Sequence, residues 1–482
     1  MENRYFLQTF GCQMNVHDSE RLAETLGAHG WKETDSPAGA DLVIFNTCSV
    51  REKAEQKLRS EVGKLAQLKK ARPDLVICVA GCVAQQEGEK LLERVRHIDI
   101  VIGPDNLSEL PALVEEQRQG SMPRARTVFE VQAPVFLSAA PKGACAPASA
   151  FVTTMKGCDE RCSFCVVPYT RGPERYRPAA EIVAECKRWV DAGAKEIVLL
   201  GQTVDSFRDS ELPPPANEND PDESQFPALL EMIANRVPGL ARLRYTSPHP
   251  RHLTPSLIEA HATLDVLAHH VHMPVQSGCD RILKRMIRRY TRAEYIDRIS
   301  RLKKARSDMS LSTDIIVGFP GETEEDFQQT LSLVAEVGFT SAFAFKFSPR
   351  PLTPALKLAD DVTEEEKSDR LARLLALVES QGRAHLATLV GTRATVLVEG
   401  ASKSGDFFQG RTERNEIVHL PAGAFVRNGK ALDPSGQLVM SDVTSANKHS
   451  LEGAPLAASL DLLPLRGARM KSEARSLPVL SQ

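Results

Sequence analysis

Lys156-Gly157-Cys158-Asp159-Glu160-Arg161-Cys162-Ser163-Phe164-Cys165, directly after the apolar run Phe151-Val152-Thr153-Thr154-Met155, is the stretch from which the rest of this chain is read. Three thiols at CxxxCxxC spacing within one loop converge on a common point, as a polynuclear metal centre requires. Structural zinc sites and closed electron-transfer clusters take four protein ligands, so three leave one coordination position open for chemistry. A zinc site completed by a distant histidine is the competing reading of the spacing. Against it, Val166-Val167-Pro168-Tyr169 follow the loop without a histidine pair.

Bulk properties narrow the class. The chain has 482 residues and a formal net charge of -3, enough for two to four domains and too balanced for a wholly basic nucleic-acid coat. Any nucleic-acid surface is therefore local, and Arg281, Lys284, Arg285, Arg288, Arg289 and Arg292 form either such a patch or a solvated helix face. Ten cysteines, without a secretory leader or an apolar run able to cross a membrane, predict reduced thiols in a cytoplasmic protein with no membrane partner.

Residues 1–120 alternate strand and helix. Apolar strands are expected at Tyr5 to Phe10, Leu42 to Asn46 and Leu75 to Ala80, with helices at Asp18 to His29 and Arg51 to Lys70. This is a small doubly wound α/β domain, in which ligands gather at the carboxyl ends of the strands. Each strand ends in a cysteine: Gly11-Cys12, Thr47-Cys48 and Gly81-Cys82. Three thiols at three equivalent ends predict a second metal centre, with a redox dithiol as the competitor; Cys78 reads as a core thiol. Residues 121–148 read as a linker rich in proline, with Cys145 unliganded.

From 149 to 378 the strand–helix unit repeats about six times, which predicts a full or partial (β/α)6 barrel whose site lies at the C-terminal ends of its strands. The cysteine loop sits at one such end. Others carry Gly201-Gln202, Ser247-Pro248-His249, Gln276-Ser277-Gly278 and Asp314 to Gly318, where glycine permits close approach and polar side chains can bond a ribose or an adenine edge. Arg171 and Arg175 are suited to a carboxylate or phosphate, or to a surface ion pair. Asp361 to Leu386 is an amphipathic helix leading out of the barrel. Strands at Arg393 to Glu399, Phe407 to Thr412 and Ile417 to Leu420, punctuated by glycines, predict a small β-barrel over 379–446. Residues 447–482 show no period and are expected to be a disordered tail.

The loop resembles that of the radical S-adenosylmethionine (SAM) enzymes, whose three cysteines hold a [4Fe-4S] cluster with SAM on its open iron. The segments Gly11-Cys12-Gln13-Met14-Asn15, Asn46-Thr47-Cys48-Ser49-Val50-Arg51 and Gly81-Cys82-Val83-Ala84-Gln85 resemble the amino-terminal domain of the methylthiotransferases, and the likeness covers most of the chain. It implies two [4Fe-4S] clusters, one on the catalytic Cys158, Cys162 and Cys165 and an auxiliary one on Cys12, Cys48 and Cys82. It also implies SAM contacts from Gly201, Gln202, Ser247, His249, Gln276, Asp314 and Gly318. The terminal barrel, with Gly410-Arg411-Thr412-Glu413-Arg414-Asn415, resembles the TRAM domain, a tRNA-binding module; Lys403, Arg411 and Arg414 are its candidate tRNA contacts or ordinary solvated charges.

In this family a 5′-deoxyadenosyl radical activates a C–H bond and the auxiliary cluster presents sulfur. The resemblance is to the branch that methylthiolates C2 of N6-isopentenyladenosine at position 37, next to the anticodon of tRNA. An electron donor and a sulfur source are implied, and a monomer is expected. Thr203-Val204-Asp205-Ser206-Phe207 and Cys279 depart from the family pattern of Asn-Val-Asn-Ser-Tyr and serine, which bears on fine substrate contacts. The alternatives are methylthiolation of N6-threonylcarbamoyladenosine in tRNA and a non-catalytic tRNA-binding protein with two metal sites.

Overall fold

The computed structural model describes residues 2–49, 52–132, 134–137, 147–461 and 463–464. Cys145 and the final stretch from 465 onward lie outside the described residues. The chain forms two compact units, one built from Met1–Ala139, Met155–Arg175 and Arg350–Thr353, the other from Ala140–Thr154, Tyr176–Pro349 and Pro354–Gln482.

The first unit is organised on a six-stranded parallel sheet. Its strands run in the order Lys32–Glu33, Arg4–Phe10, Leu42–Thr47, Val76–Gly81, Ile100–Ile102, Arg124–Arg126. Leu42–Thr47 and Val76–Gly81 are buried along their whole length, which is why they read as continuous apolar runs. Alternate residues divide between two cores. Leu42, Ile44, Val76 and Cys78 pack with Leu22 and Leu26 of the helix Gln13–Ala28, whereas Val43, Phe45, Ile77 and Val79 pack with Leu58, Val62 and Leu65 of the helix Glu52–Ala71. Each such fully buried side chain contributes about 1.5–3 kcal/mol. Cys78 is a core thiol in this arrangement, and burial pushes its pKa up. The helix expected from Asp18 begins earlier, at Gln13, directly behind Cys12. Arg124–Arg126 is an edge strand, so the stretch read as a linker from 121 begins inside the sheet.

The second unit carries six parallel strands in two sheets of three. One has the order Arg242–Tyr245, Glu196–Leu200, Ser149–Thr153 and the other His270–His272, Ser310–Val317, Ser341–Lys346. A parallel bridge from Leu243 to Leu267 connects them, giving a partial barrel with helices in the crossovers. The boundary expected at 378/379 falls inside one continuous helix, Glu364–Thr388, which starts with a Thr363/Glu366 capping box.

Beyond that helix is a closed barrel of Arg393–Ala401, Phe407–Arg411, Ile417–Pro421, Leu451–Pro455 and Leu438–Ala446. Leu451–Pro455 pairs with both Leu438–Ala446 and Ile417–Pro421. The barrel therefore extends past 446 into what was expected to be tail, because Leu451, at 0% exposure, fills its core although the segment is too short to show a period.

Candidate functional site: two cysteine triads and the strand-end residues

Sheet register brings the dispersed cysteines together. Phe10 pairs with Thr47 and Thr47 with Gly81, so the three strands end at one level and Cys12, Cys48 and Cys82 leave from it. In a sheet of this order, the ends of Arg4–Phe10 and Leu42–Thr47 flank the topological switch point, where α/β folds bind ligands. An amide network fixes the exits. Asn15 Nδ2 donates to Asn46 Oδ1 at 3.0 Å, Asn46 Nδ2 donates to the Asn15 carbonyl at 2.8 Å and to Ser19 Oγ at 3.0 Å, and the Cys12 thiol donates to Asn15 Oδ1 at 3.3 Å. Gly11 has φ +151°, and a Cβ there would stand 2.5 Å from Cys48 Cβ; at Gly81, with φ +92°, it would stand 2.9 Å from the Thr47 carbonyl. Both glycines are thus required by the close approach of the cysteine-bearing turns.

The electrostatics divide the thiols at this end: burial pushes Cys82 up although the charge of Arg171 opposes it, whereas Cys12 is held down. A hydrogen bond from Cys48 holds Cys12 down to about 6 against burial, helped by the charge of Arg171 and by the backbone N–H groups of Asn15 and Met14 at the helix start. Arg171 lies in the short helix Val167–Arg171 that follows the CxxxCxxC loop. Its Nε donates to Cys82 Sγ at 3.3 Å and its Nη2 to Asp18 Oδ2 at 2.6 Å. Burial raises the Asp18 carboxyl, but the guanidinium charge overrides it and leaves the group at about 2. Arg175 and Lys156 both pair with Asp105, Lys156 at 3.2 Å. Arg171 and Arg175 are therefore buried partners of buried carboxylates rather than surface ion pairs.

The CxxxCxxC loop belongs to the same compact unit as the three strand-end cysteines. Gly157 opens it with φ +83°, and a Cβ there would lie 2.5 Å from the Gly172 carbonyl and closer still to that of Pro173. The Cys158 N–H donates to the Gly172 carbonyl at 3.1 Å, and the Cys165 N–H to that of Cys162 at 3.0 Å. Cys158 and Cys162 are buried and Cys165 half-buried. Among the described residues no three His, Cys, Asp or Glu side chains are grouped as ligands of a metal ion. Each triad offers three thiols, with Cys12, Cys82 and Cys158 held directly behind glycines that no larger residue could replace, a donor set suited to the corners of an iron–sulfur cluster.

In the second unit the residues expected to hold SAM sit along the strands and at their C-terminal exits. Gly201 and Gln202 follow Glu196–Leu200, Ser247 and His249 follow Arg242–Tyr245, Gln276 follows His270–His272, and Gly318 follows Ser310–Val317, which contains Asp314. Ser247 (φ 58°) and Gln276 (φ 69°) adopt left-handed conformations, strain that accumulates at functional sites. Gln276 is held by bonds to Asp314 and Ile316 backbone. The His249 N–H is accepted by both Asp205 oxygens at 2.9 Å, and burial pushes its imidazole well below the usual histidine range, so the ring is neutral. Asp314 stands 3.4 Å from His272. The Gly318 N–H is taken by Glu322 at 2.6 Å. Asp205 is not among the residues expected here; its signal lay in Thr203 to Phe207, where it stands in place of the second asparagine of the family pattern.

The basic candidates fare differently. Arg281 pairs with Asp326, Arg288 donates to the Tyr290 hydroxyl at 3.0 Å, and Arg292 pairs with Glu336 at 2.9 Å, so Arg281 and Arg292 tie their helices to the helix Glu324–Val337. Arg411 pairs with Glu399 at 2.9 Å and Arg414 with Glu416 at 3.2 Å. Their turn docks by its carbonyls onto the N-terminal end of the partial barrel: Arg244 donates to Thr412 and Glu413, and the Ser310 hydroxyl to Arg414. Arg244 is held there by Glu196 at 2.8 Å. Lys403 is exposed on the turn between two barrel strands.

Comparison with known proteins agrees with this layout. Residues 4–103 match the family described as uncharacterized protein family UPF0004, and residues 152–334 match the radical SAM superfamily. A relative from Sorangium cellulosum (strain So ce56), a tRNA-2-methylthio-N(6)-dimethylallyladenosine synthase, is 57% identical over 99% of both chains. One of the same name from Methylobacillus flagellatus is 43% identical over 94% of this chain and 99% of its own. Among solved structures, the radical S-adenosylmethionine methyltransferase TsrM from Kitasatospora setae shares the fold, with a TM-score of 0.51 at 15% identity over 74% of each chain. With near-full-length identity to these relatives and both family matches falling on the two cysteine triads, the chain belongs to the radical SAM methylthiotransferases, in the branch of the tRNA-2-methylthio-N(6)-dimethylallyladenosine synthases.

Proposed function

We propose that this enzyme methylthiolates C2 of N6-isopentenyladenosine at position 37 of tRNA, and that its two cysteine triads hold two [4Fe-4S] clusters. The observation that carries the reading is the presence of six thiols in two sets of three within one compact unit. With SAM, a cluster on Cys158, Cys162 and Cys165 supplies the one-electron chemistry needed at an unreactive C–H bond, and one on Cys12, Cys48 and Cys82 supplies sulfur.

The chain's own residues bind and orient. Gly157 lets the loop close on the Gly172 and Pro173 carbonyls; the Asn15–Asn46 network keeps the exits of Cys12 and Cys48 fixed. Gly201, Gln202, Ser247, His249, Gln276, Asp314 and Gly318 would contact SAM, with neutral His249 able to accept or donate a hydrogen bond without a charge. Lys403 is the remaining exposed member of the three barrel cations assigned to tRNA, since Arg411 and Arg414 are engaged within the fold. The reaction takes an electron donor and a sulfur source from the cytoplasm. The test is anaerobic assay with tRNA carrying isopentenyladenosine or threonylcarbamoyladenosine. Methylthio product is expected from the first substrate, and product from the second alone would contradict the assignment.

A further inference from the structure

We propose that Arg171 is a positioning residue of the Cys12, Cys48 and Cys82 centre, holding Cys82 by an N–H···S bond and setting the reduction potential of the cluster bound there. The inference rests on reading that centre as a second four-iron cluster. Arg171 follows the other cysteine loop in sequence, yet its guanidinium is spent on the strand-end triad. Its side chain is only 3% exposed, its Nε donates to Cys82 Sγ at 3.3 Å, and its Nη2 bonds Asp18 at 2.6 Å. Nη1 is buried with no hydrogen-bond partner among the described residues.

Charges of both signs are buried around this guanidinium. Three cations, Arg171, Lys156 and Arg175, face two carboxylates, Asp18 and Asp105; His17, 3.9 Å from Asp18, adds no negative charge. A buried guanidinium is costly unless anions join it, and Asp18 together with a cluster on the three thiolates would provide them. Cluster potentials follow net charge and hydrogen bonds to sulfur. A fixed guanidinium on a ligand sulfur therefore favours the reduced state. Lysine cannot serve equally, because one ammonium lacks the planar fork that reaches Cys82 and Asp18 together.

The test uses the full-length chain carrying Cys158→Ala, Cys162→Ala and Cys165→Ala, reconstituted anaerobically so that only the second centre takes iron. Dithionite titration is followed by electron paramagnetic resonance. In this background Arg171→Met should disfavour reduction at least tenfold, a shift of about 59 mV for a one-electron couple, with iron content unchanged. Asp18→Asn, which removes a negative charge, should shift the potential the other way. Unmoved potentials in both variants, with about four irons bound, would overturn the role of Arg171. If Arg171→Met fails to hold iron, Asp18→Asn decides alone: a rise supports the proposal and no rise overturns it. A background protein that binds no iron would remove the second cluster and this inference with it.

Discussion

Cys158, Cys162 and Cys165 are gathered by one loop, while Cys12, Cys48 and Cys82 are gathered by three strands of a sheet. The first triad needs only local backbone geometry, chiefly the positive φ of Gly157. The second needs the register that pairs Phe10 with Thr47 and Thr47 with Gly81, so its integrity is that of the whole sheet. One consequence is a separation of labour that mutation can expose.

The largest effect should come from Cys162→Ala. This variant should reduce 5′-deoxyadenosine formation to background while keeping the fold, tRNA binding and the iron of the other centre; retained SAM cleavage would break the comparison. Cys48→Ala should do the reverse. Iron should fall from about eight to about four per chain, SAM cleavage should persist, and methylthio nucleoside should disappear, as read by nucleoside chromatography.

Backbone substitutions sharpen the contrast at a smaller scale. Gly157→Ala forces a Cβ against two carbonyls at φ +83°, where the left-handed conformation alone costs about 1–3 kcal/mol. It should empty the loop centre with a modest fall in melting temperature. Gly81→Ala, inside the sheet register, should lower the melting temperature more and empty the strand-end centre. Equal losses of both centres in either variant would contradict the distinction.

The thiols themselves titrate differently. In protein freed of metal, Cys12 is held at about 6, chiefly by the Cys48 hydrogen bond, and buried Cys186 is pushed up to about 12. The thiolate is the reactive form, so alkylation of Cys12 by iodoacetamide should rise between about pH 5 and 7 and then level off. Cys186 should stay silent across that window. A Cys12 midpoint above pH 8, read by peptide mass spectrometry, would show that the strand ends do not converge without their cluster.

The smallest effects are expected in the terminal barrel. Lys403→Ala should weaken tRNA binding and reduce the salt slope by about one, whereas Arg411→Ala should lower stability and leave that slope unchanged. Loss of slope in Arg411→Ala would return the turn to the tRNA interface.

The sequence carried most of the architecture because the decisive elements announce themselves locally. CxxxCxxC is visible as spacing, and Leu42–Thr47 and Val76–Gly81 as buried runs ending in cysteine. Contacts between distant segments leave no such trace. Arg171 meets Asp18 and Cys82 only after the loop folds onto the sheet, and the docking of Thr412 and Glu413 on Arg244 gives their turn a bracing contact that no spacing announces. Short strands such as Ile100–Ile102 and Leu451–Pro455 are defined by pairing rather than by periodicity.

The most direct test is iron and acid-labile sulfide per chain after anaerobic reconstitution, followed by reductive SAM cleavage in the presence of tRNA carrying isopentenyladenosine. About eight irons, from two four-iron clusters, with 5′-deoxyadenosine and a methylthio nucleoside formed, is the predicted result. About four irons with SAM cleavage and no thiolation would contradict the two-cluster account, and zinc in place of iron would contradict the radical chemistry altogether.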